Sequence, residues 1–339
     1  MVSSLARVSL IALTGFGLCG VQAQAQGQTQ PGTNSHVLMV THGTATDPFW
    51  ATVKGGAEQA AKDAGAQVVY RAPETFDLAA MAALVTAGIE EKPAGLIVSI
   101  PNADVLAGPI RAAVEAGIPV ISVNSGYDVS KSMGALLHVG QSEYEAGRVA
   151  GEAMRDLDAS KALCLNHELG NVALDLRCKG FIDGFGGSVE VLSVESGPKA
   201  TGDTVADRLA ADEDIDAILA LNATMAGEPA VAAADALPDG RMVHVATFDI
   251  TDPMLNAVAD GKASFAVDQQ PFLQGYLPVH YLILLQRHGV VPVSNVSTGP
   301  KLVTAEEAAR RLGRPAALAP AEDSANPAAP GVQLELRGG

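Results

Sequence analysis

The 339-residue sequence is short of positive charge, of aromatic rings and of cysteine. Lys and Arg number 22 against 38 Asp and Glu, giving a formal net charge of −16. That balance excludes a nucleic-acid partner, because holding a phosphate backbone takes clustered Lys and Arg. The acidic surface is read as a solubility feature. Aromatic residues make up 4%, with Trp50 the single Trp, while 48% of the chain is hydrophobic. A large core built mainly of small residues suits tight helix-on-sheet packing, and the length suffices for two domains.

Chemical signatures are also missing. No GxxxxGK[ST] occurs, and the GxGxxG at Gly15 to Gly20 lies in an apolar segment, not between a strand and a helix. A GxSxG elbow is absent. His167-Glu168 opens an HExxH-like pattern that fails at Asn171, and the 7 His are scattered. Only a Ser-His-Asp triad, whose order and spacing are free, escapes such a search. No enzyme, metal or cofactor is expected.

Val8 to Leu18 is an apolar run shorter than the ~20 residues that span a bilayer. Arg7 precedes it, and Ala23 and Ala25 follow with A-x-A-like spacing, so residues 1–25 read as a secretory signal peptide. A Gln-rich linker, 26–35, leads into the fold. Cleavage removes Cys19, whose neighbour Leu18 argues against a lipoprotein site, and leaves Cys164 and Cys178. In an oxidising compartment the pair can form a disulfide; two buried thiols are the alternative.

From residue 36, apolar strands alternate with amphipathic helices, the pattern of parallel sheets covered on both faces. Asp47-Pro48 reads as N-cap and first helical position, and Gly65 as the stop. Asp252-Pro253 reads as a second use of that device. Predicted helices include 204–211 and 225–234. Two similar α/β halves follow one another without a Gly/Ser/Pro-rich linker, which suggests a close-set hinge. From Pro315 the composition turns to Pro, Ala and Ser, and residues 315–339 are expected to be disordered.

In open α/β sheets, ligands bind at the carboxyl ends of the strands. Those ends offer Thr41 with Asp47, Phe49 and Trp50, then Asn124 and Ser125, Asn166, Asn222, Phe248 and Asp249, and Gln269. Carboxylates and amides bind hydroxyl pairs, and aromatic faces pack on the C–H faces of a sugar. Each residue has an ordinary role too: Trp50 in the core, Asp47 and Asp249 as caps, Asn124, Asn222 and Gln269 in turns or caps. For Arg177, on a predicted helix, the ordinary role is a solvated face or a structural ion pair.

Six segments resemble the periplasmic ribose/galactose-type sugar-binding proteins, the type I periplasmic binding proteins of ABC importers. They are Thr46 to Trp50 with the following ATVKGGAEQAAKDAG, Ile118 to Gly126, His138 to Glu152, Leu174 to Phe181, Ala220 to Glu228, and the Phe248-Asp249 strand end. The resemblance runs in order over about residues 36 to 304. It implies two Rossmann-like lobes with parallel sheets and a cleft at the hinge. One lobe would hold 36–138 and 270–296, the other 139–269 and 297–314. It implies ligand roles for Asp47, for Phe49 and Trp50 as ring-sandwiching aromatics, for Arg177 toward hydroxyls, and for Asn222, Asp249 and Gln269. Ribose binders carry Asp-Arg where this chain has Asn124-Ser125, which favours another sugar, a linear polyol or a cyclitol. A disulfide between Cys164 and Cys178, not found in ribose binders, would tie a strand to the helix that presents Arg177.

The expectation is a monomeric periplasmic protein that closes on a sugar or polyol and delivers it to an ABC permease. Its rivals are a ligand sensor for a chemoreceptor or kinase, a binder of a more hydrophobic solute, and a LacI-type repressor. The last needs a basic headpiece where this chain has a signal-like segment.

Overall fold

Strands of nearly unbroken Val, Ile and Leu have no polar face to offer water, so helices must cover both sides of the sheets they form. The computed structural model describes residues 36–43, 47–194, 197–238 and 240–314. The expected signal peptide, linker and C-terminal tail lie outside them.

The first sheet contains β1 (Val37–Val40), β2 (Val68–Arg71), β3 (Gly95–Ser99), β4 (Val120–Asn124), β5 (Leu137–Gly140) and, from far along the chain, β11 (Val296–Ser297). Its order is β11-β5-β4-β3-β1-β2, every pairing parallel. Helices α1 (Pro48–Asp63) and α9 (Pro271–His288) bury Val53, Ala57, Val279 and Leu282 against one face, while α2 (Leu78–Glu90) and α3 (Ala103–Glu115) bury Met81, Val85, Leu106 and Ile110 against the other.

The second sheet repeats the plan with β6 (Lys161–Asn166), β7 (Ser188–Ser193), β8 (Ala217–Ala220), β9 (His244–Phe248), β10 (Phe265–Asp268) and β12 (Lys301–Val303), in the order β12-β10-β9-β8-β6-β7. Helices α4 (Glu143–Arg155) and α5 (Val172–Phe185) cover one face; α6 (Pro198–Ala211), α7 (Glu228–Asp235), α8 (Asp252–Ala259) and α10 (Ala305–Arg311) cover the other. The chain passes between the sheets after β5, after β10 and between β11 and β12.

Two helix pairs meet at backbone distance. A Cβ on Gly147 of α4 would stand 2.0 Å from the Arg177 carbonyl oxygen of α5, and one on Gly180 of α5 would stand 1.9 Å from the Tyr144 oxygen. Only glycine fits such a crossing. α1 and α9 use the same device, with Gly275 against the Val53 carbonyl at 1.8 Å.

The sequence expectations are corrected in four places. β12 pairs antiparallel with β10, so the second sheet is mixed, because a short return strand can reach the sheet only from the edge. The cap of α8 is Thr251, whose side chain accepts from Met254 N, and Asp252 is already helical; a hydroxyl one residue earlier takes the capping place. α6 starts at Pro198, six residues before the predicted 204, since proline suits a first helical position. The predicted helix 225–234 is a π-turn, Ala223–Gly227, followed by α7. The last elements, β11, β12 and α10, carry too little periodicity to be read from sequence.

Candidate binding cleft

Both sheets turn their carboxyl ends toward one space, and the residues there do two jobs. Asp47, the N-cap of α1, accepts from Phe49 N at 2.8 Å with Oδ1, leaving Oδ2 toward the cleft. Asn222 caps the π-turn by accepting from Met225 N at 2.8 Å, while its amide Nδ2 reaches Asp47 Oδ2 and Asp249 Oδ2, each at 3.4 Å. Asn171 caps α5 through its oxygen and donates to Glu168 Oε2 at 2.8 Å. Asp249 caps nothing; Thr251 takes that part.

The cleft concentrates backbone strain. Asn124 at the end of β4, Asp249 after β9 and Gln270 before α9 hold φ of 58°, 74° and 52°. Left-handed backbone is uncommon outside glycine and is best tolerated by Asn and Asp, so two of the three are residue types that hold it readily. At the first two turns the side chain lines the cleft, while Gln270 donates to Thr298 O at 2.7 Å.

The resulting cleft encloses about 350 Å³ of empty space, part of it open to solvent. Asp47, Phe49, Trp50, Asn124, Ser125, Arg177, Asn222, Asp249 and Gln269 all line it. Of the other strand-end residues, Thr41 is bonded to Tyr70 Oη at 2.6 Å, Asn166 donates to Asp175 at 3.0 Å, and Phe248 underlies Arg177, whose Cζ sits 4.3 Å from the ring centroid. Phe49 and Trp50 meet edge to face at 5.1 Å, and Trp50 meets His42 the same way at 4.8 Å. Both aromatics belong to the core beneath the cleft as well as to its wall.

Arg177 is buried at 4% exposure. Its Nε donates to Glu143 at 2.6 Å, one terminal nitrogen to Leu221 O at 3.3 Å and the other to Gln269 Oε1 at 3.0 Å. Burial opposes its charge, and the pull and hydrogen bond of Glu143 more than offset that, so its pKa rises. The disulfide joins Cys164 of β6 to Cys178, the residue after Arg177, with Cα atoms 5.8 Å apart. Gln269 gathers the hinge: its oxygen accepts from Arg177, Asn124 and Gln141, and its Nε2 donates to Asp249 at 2.6 Å. Gln274 adds bonds to Gln269 O at 3.1 Å and Thr298 Oγ1 at 3.3 Å. Amide side chains thus link all three passages between the sheets.

Four polar wall residues were not anticipated as ligands: His42, His167, Glu168 and Asn171. His42 follows β1, with Nδ1 bonded to Ser99 Oγ at 2.8 Å and Nε2 to Asn171 at 3.4 Å. Burial, then the Arg177 charge, pushes the His42 pKa down to about 3 and that of His167 to about 4, so both rings are neutral. Burial raises Asp47 and Glu168, and raises Asp249 to about 7 against the pull of Arg177. His167, Glu168 and Asn171 are the positions of the failed HExxH-like pattern; the signal was polar density after β6, not metal spacing. Among the described residues no group of His, Cys, Asp and Glu could hold a metal ion. A closed wall of carboxylates, amides and neutral imidazoles, floored by aromatic rings, suits a neutral molecule rich in hydroxyls.

A family model described as the periplasmic binding protein domain matches residues 37–289. The xylose/arabinose-binding protein XylF of Sulfolobus acidocaldarius is 26% identical over 300 residues, covering 82% of this chain and 73% of that one. The ribose import binding protein RbsB of Haemophilus influenzae is 28% identical over 281 residues, covering 80% and 90%. The crystal structure of a carbohydrate transporter from Acidothermus cellulolyticus in complex with myo-inositol is 31% identical, with a TM-score of 0.76, covering 82% of this chain and 96% of that one.

Proposed function

The chain belongs to the periplasmic binding protein domain family, and on that premise we propose that it captures a sugar or related polyol by closure of two lobes, for delivery to an ABC permease. One observation carries the reading: a single cleft enclosing about 350 Å³ of empty space has carboxylate, amide and guanidinium groups from both lobes around Phe49 and Trp50. Arg177, Gln269, Asp249 and Asn222 already form a connected network, so hydroxyls entering it exchange into bonds whose geometry is preset. Asn124 and Ser125 give this wall neutral groups, which fits a cyclitol or linear polyol at least as well as a pentose. The ligands named for the relatives, xylose, arabinose, ribose and myo-inositol, are all polyhydroxylated.

Residues 1–25 act as the signal peptide in this reading, the protein works in the periplasm as a monomer, and no step of it is catalytic or requires a cofactor. A ligand touching both lobes favours the closed form by its differential affinity and by no more than that. The polar wall argues against the hydrophobic-solute alternative. The test is a thermal-shift screen across sugars, linear polyols, cyclitols and lipids. A ligand at 100 times its Kd stabilises by about 2.7 kcal/mol, so a specific polyol raises the melting temperature. A shift with lipids alone, or with nothing polyhydroxylated, overturns the proposal.

A further inference from the structure

Beside the polyol cavity lies a second one, partly open to solvent, that the binding network does not use. Ile100 and Val129, from loops of the first sheet, and Ala103, the first residue of α3, face Val172 and Leu176 of α5 across it. The two cavities adjoin: Ala173 lines both, and Arg177, a wall of the first, is bonded at 2.6 Å to Glu143, a wall of the second. Glu143 is 2% exposed. Its Oε2 accepts from Arg177 and from Gln141 Nε2, at 2.6 and 3.0 Å, but its Oε1, also buried, has no hydrogen-bond partner among the described residues. A buried carboxylate oxygen without a donor is costly. The charge of Glu143 is already met by Arg177, so the donor it lacks is a neutral one.

We propose that this cavity is an apolar arm of the binding cleft, and that the ligand is a polyol bearing an alkyl or aryl substituent, as in an O-alkyl ether or a glycoside. The apolar group fills the arm, and a hydroxyl at the junction donates to Glu143 Oε1. The inference rests on the polyol reading above and narrows its substrate class. Because the arm has walls from both lobes, an occupant stabilises only the closed arrangement, and each methylene buried there adds to affinity.

The test is calorimetry with myo-inositol, D-xylose, L-arabinose and D-ribose, each beside its regioisomeric O-methyl and O-propyl derivatives. For a parent that binds, the derivative placed at the junction binds tighter, by roughly fourfold per methylene buried. Two variants block the arm without touching the polyol network, Ala103→Leu and Val129→Phe. Each keeps the parent's Kd and erases the gain, and a thermal melt of each confirms its fold. If parents bind and no derivative binds tighter, or if the gain survives in both blocking variants, the apolar arm is overturned and the polyol reading stands. If neither parents nor derivatives bind, the apolar arm is overturned, and the polyol reading is decided by the wider thermal-shift screen.

Discussion

Asp249 is a carboxyl group whose environment works against its charge. Its pKa stands at about 7 instead of 3.8, chiefly through burial. Folding therefore favours its protonated form: the contribution to stability is present below about pH 4 and is lost as the pH rises toward 7. His42 and His167 act in the opposite sense, since their neutral burial is lost as pH falls below 6.5 toward their folded values near 3 and 4. Comparison with Asp249→Asn separates the two. We expect that variant to gain stability relative to the wild type between pH 5 and pH 8, followed by thermal melts of the ligand-free protein. Ligand hydroxyls prefer the ionised carboxylate, so affinity for a polyol should weaken below pH 7 in the wild type and hardly change with pH in the variant. Equal pH slopes in calorimetry would count against a ligand role for Asp249. Arg177→Ala leaves Glu143 buried and unpaired, which costs about 3–5 kcal/mol in denaturant titrations, and it should also abolish binding. Trp50 lines the cavity as the single Trp, so ligand entry should change the intrinsic fluorescence, and an unchanged spectrum on saturation would remove it from the contact surface.

At the level of elements, α5 is held twice. The disulfide fixes it to β6, and the glycine contacts with α4 fix its distance from Glu143. Reducing the disulfide should cost about 3 kcal/mol by the chain-entropy estimate for a loop of this size, a separation of 14 residues. It should also weaken binding, because Arg177 precedes Cys178. Gly147→Ala drives a methyl into the Arg177 carbonyl and should lower both stability and affinity, whereas Gly108→Ala, in α3 with open space around it, should raise stability by about 0.5–1 kcal/mol and leave affinity unchanged. These contacts also mark what sequence could and could not reveal. Apolar runs such as VISVN and the Asp47-Pro48 cap were legible because they follow from local sterics and hydrogen bonding. The nine residues proposed as ligands could be named because strand ends are where open α/β sheets bind ligands and because the family resemblance assigns roles to most of them, Arg177 on its helix among these. His42 was not legible, since its place depends on Ser99 and Asn171, which are distant in sequence. The Glu143–Arg177 pair was likewise invisible, for it spans 34 residues and depends on how closely two helices cross.

On the scale of the whole molecule, two sheets of 6 strands come into contact along their carboxyl edges. Val172 N donates to Pro101 O at 2.9 Å, and Asn171 and Asn222 reach His42 and Asp47 at 3.4 Å, so the cleft is closed by polar contacts across the gap. Two of these three are long, so they add little to closure, and a ligand bridging the lobes can reinforce it. Gln269→Ala removes the amide that joins Arg177, Asn124, Gln141 and Asp249. It should lower affinity by one to two orders of magnitude, about 1.4–2.8 kcal/mol, with a smaller loss of stability. Calorimetry and melts on the same sample check both halves of that expectation.

The stitching of the chain also sets an order in time. The first sheet receives β11 only at residues 296–297, and α9, which covers Val53 and Ala57, only at 271–288. A ribosome must therefore make almost the entire polypeptide before that half can bury its apolar face. Until then the nascent chain carries an incomplete core, so its first half completes its folding only once the last elements have been made.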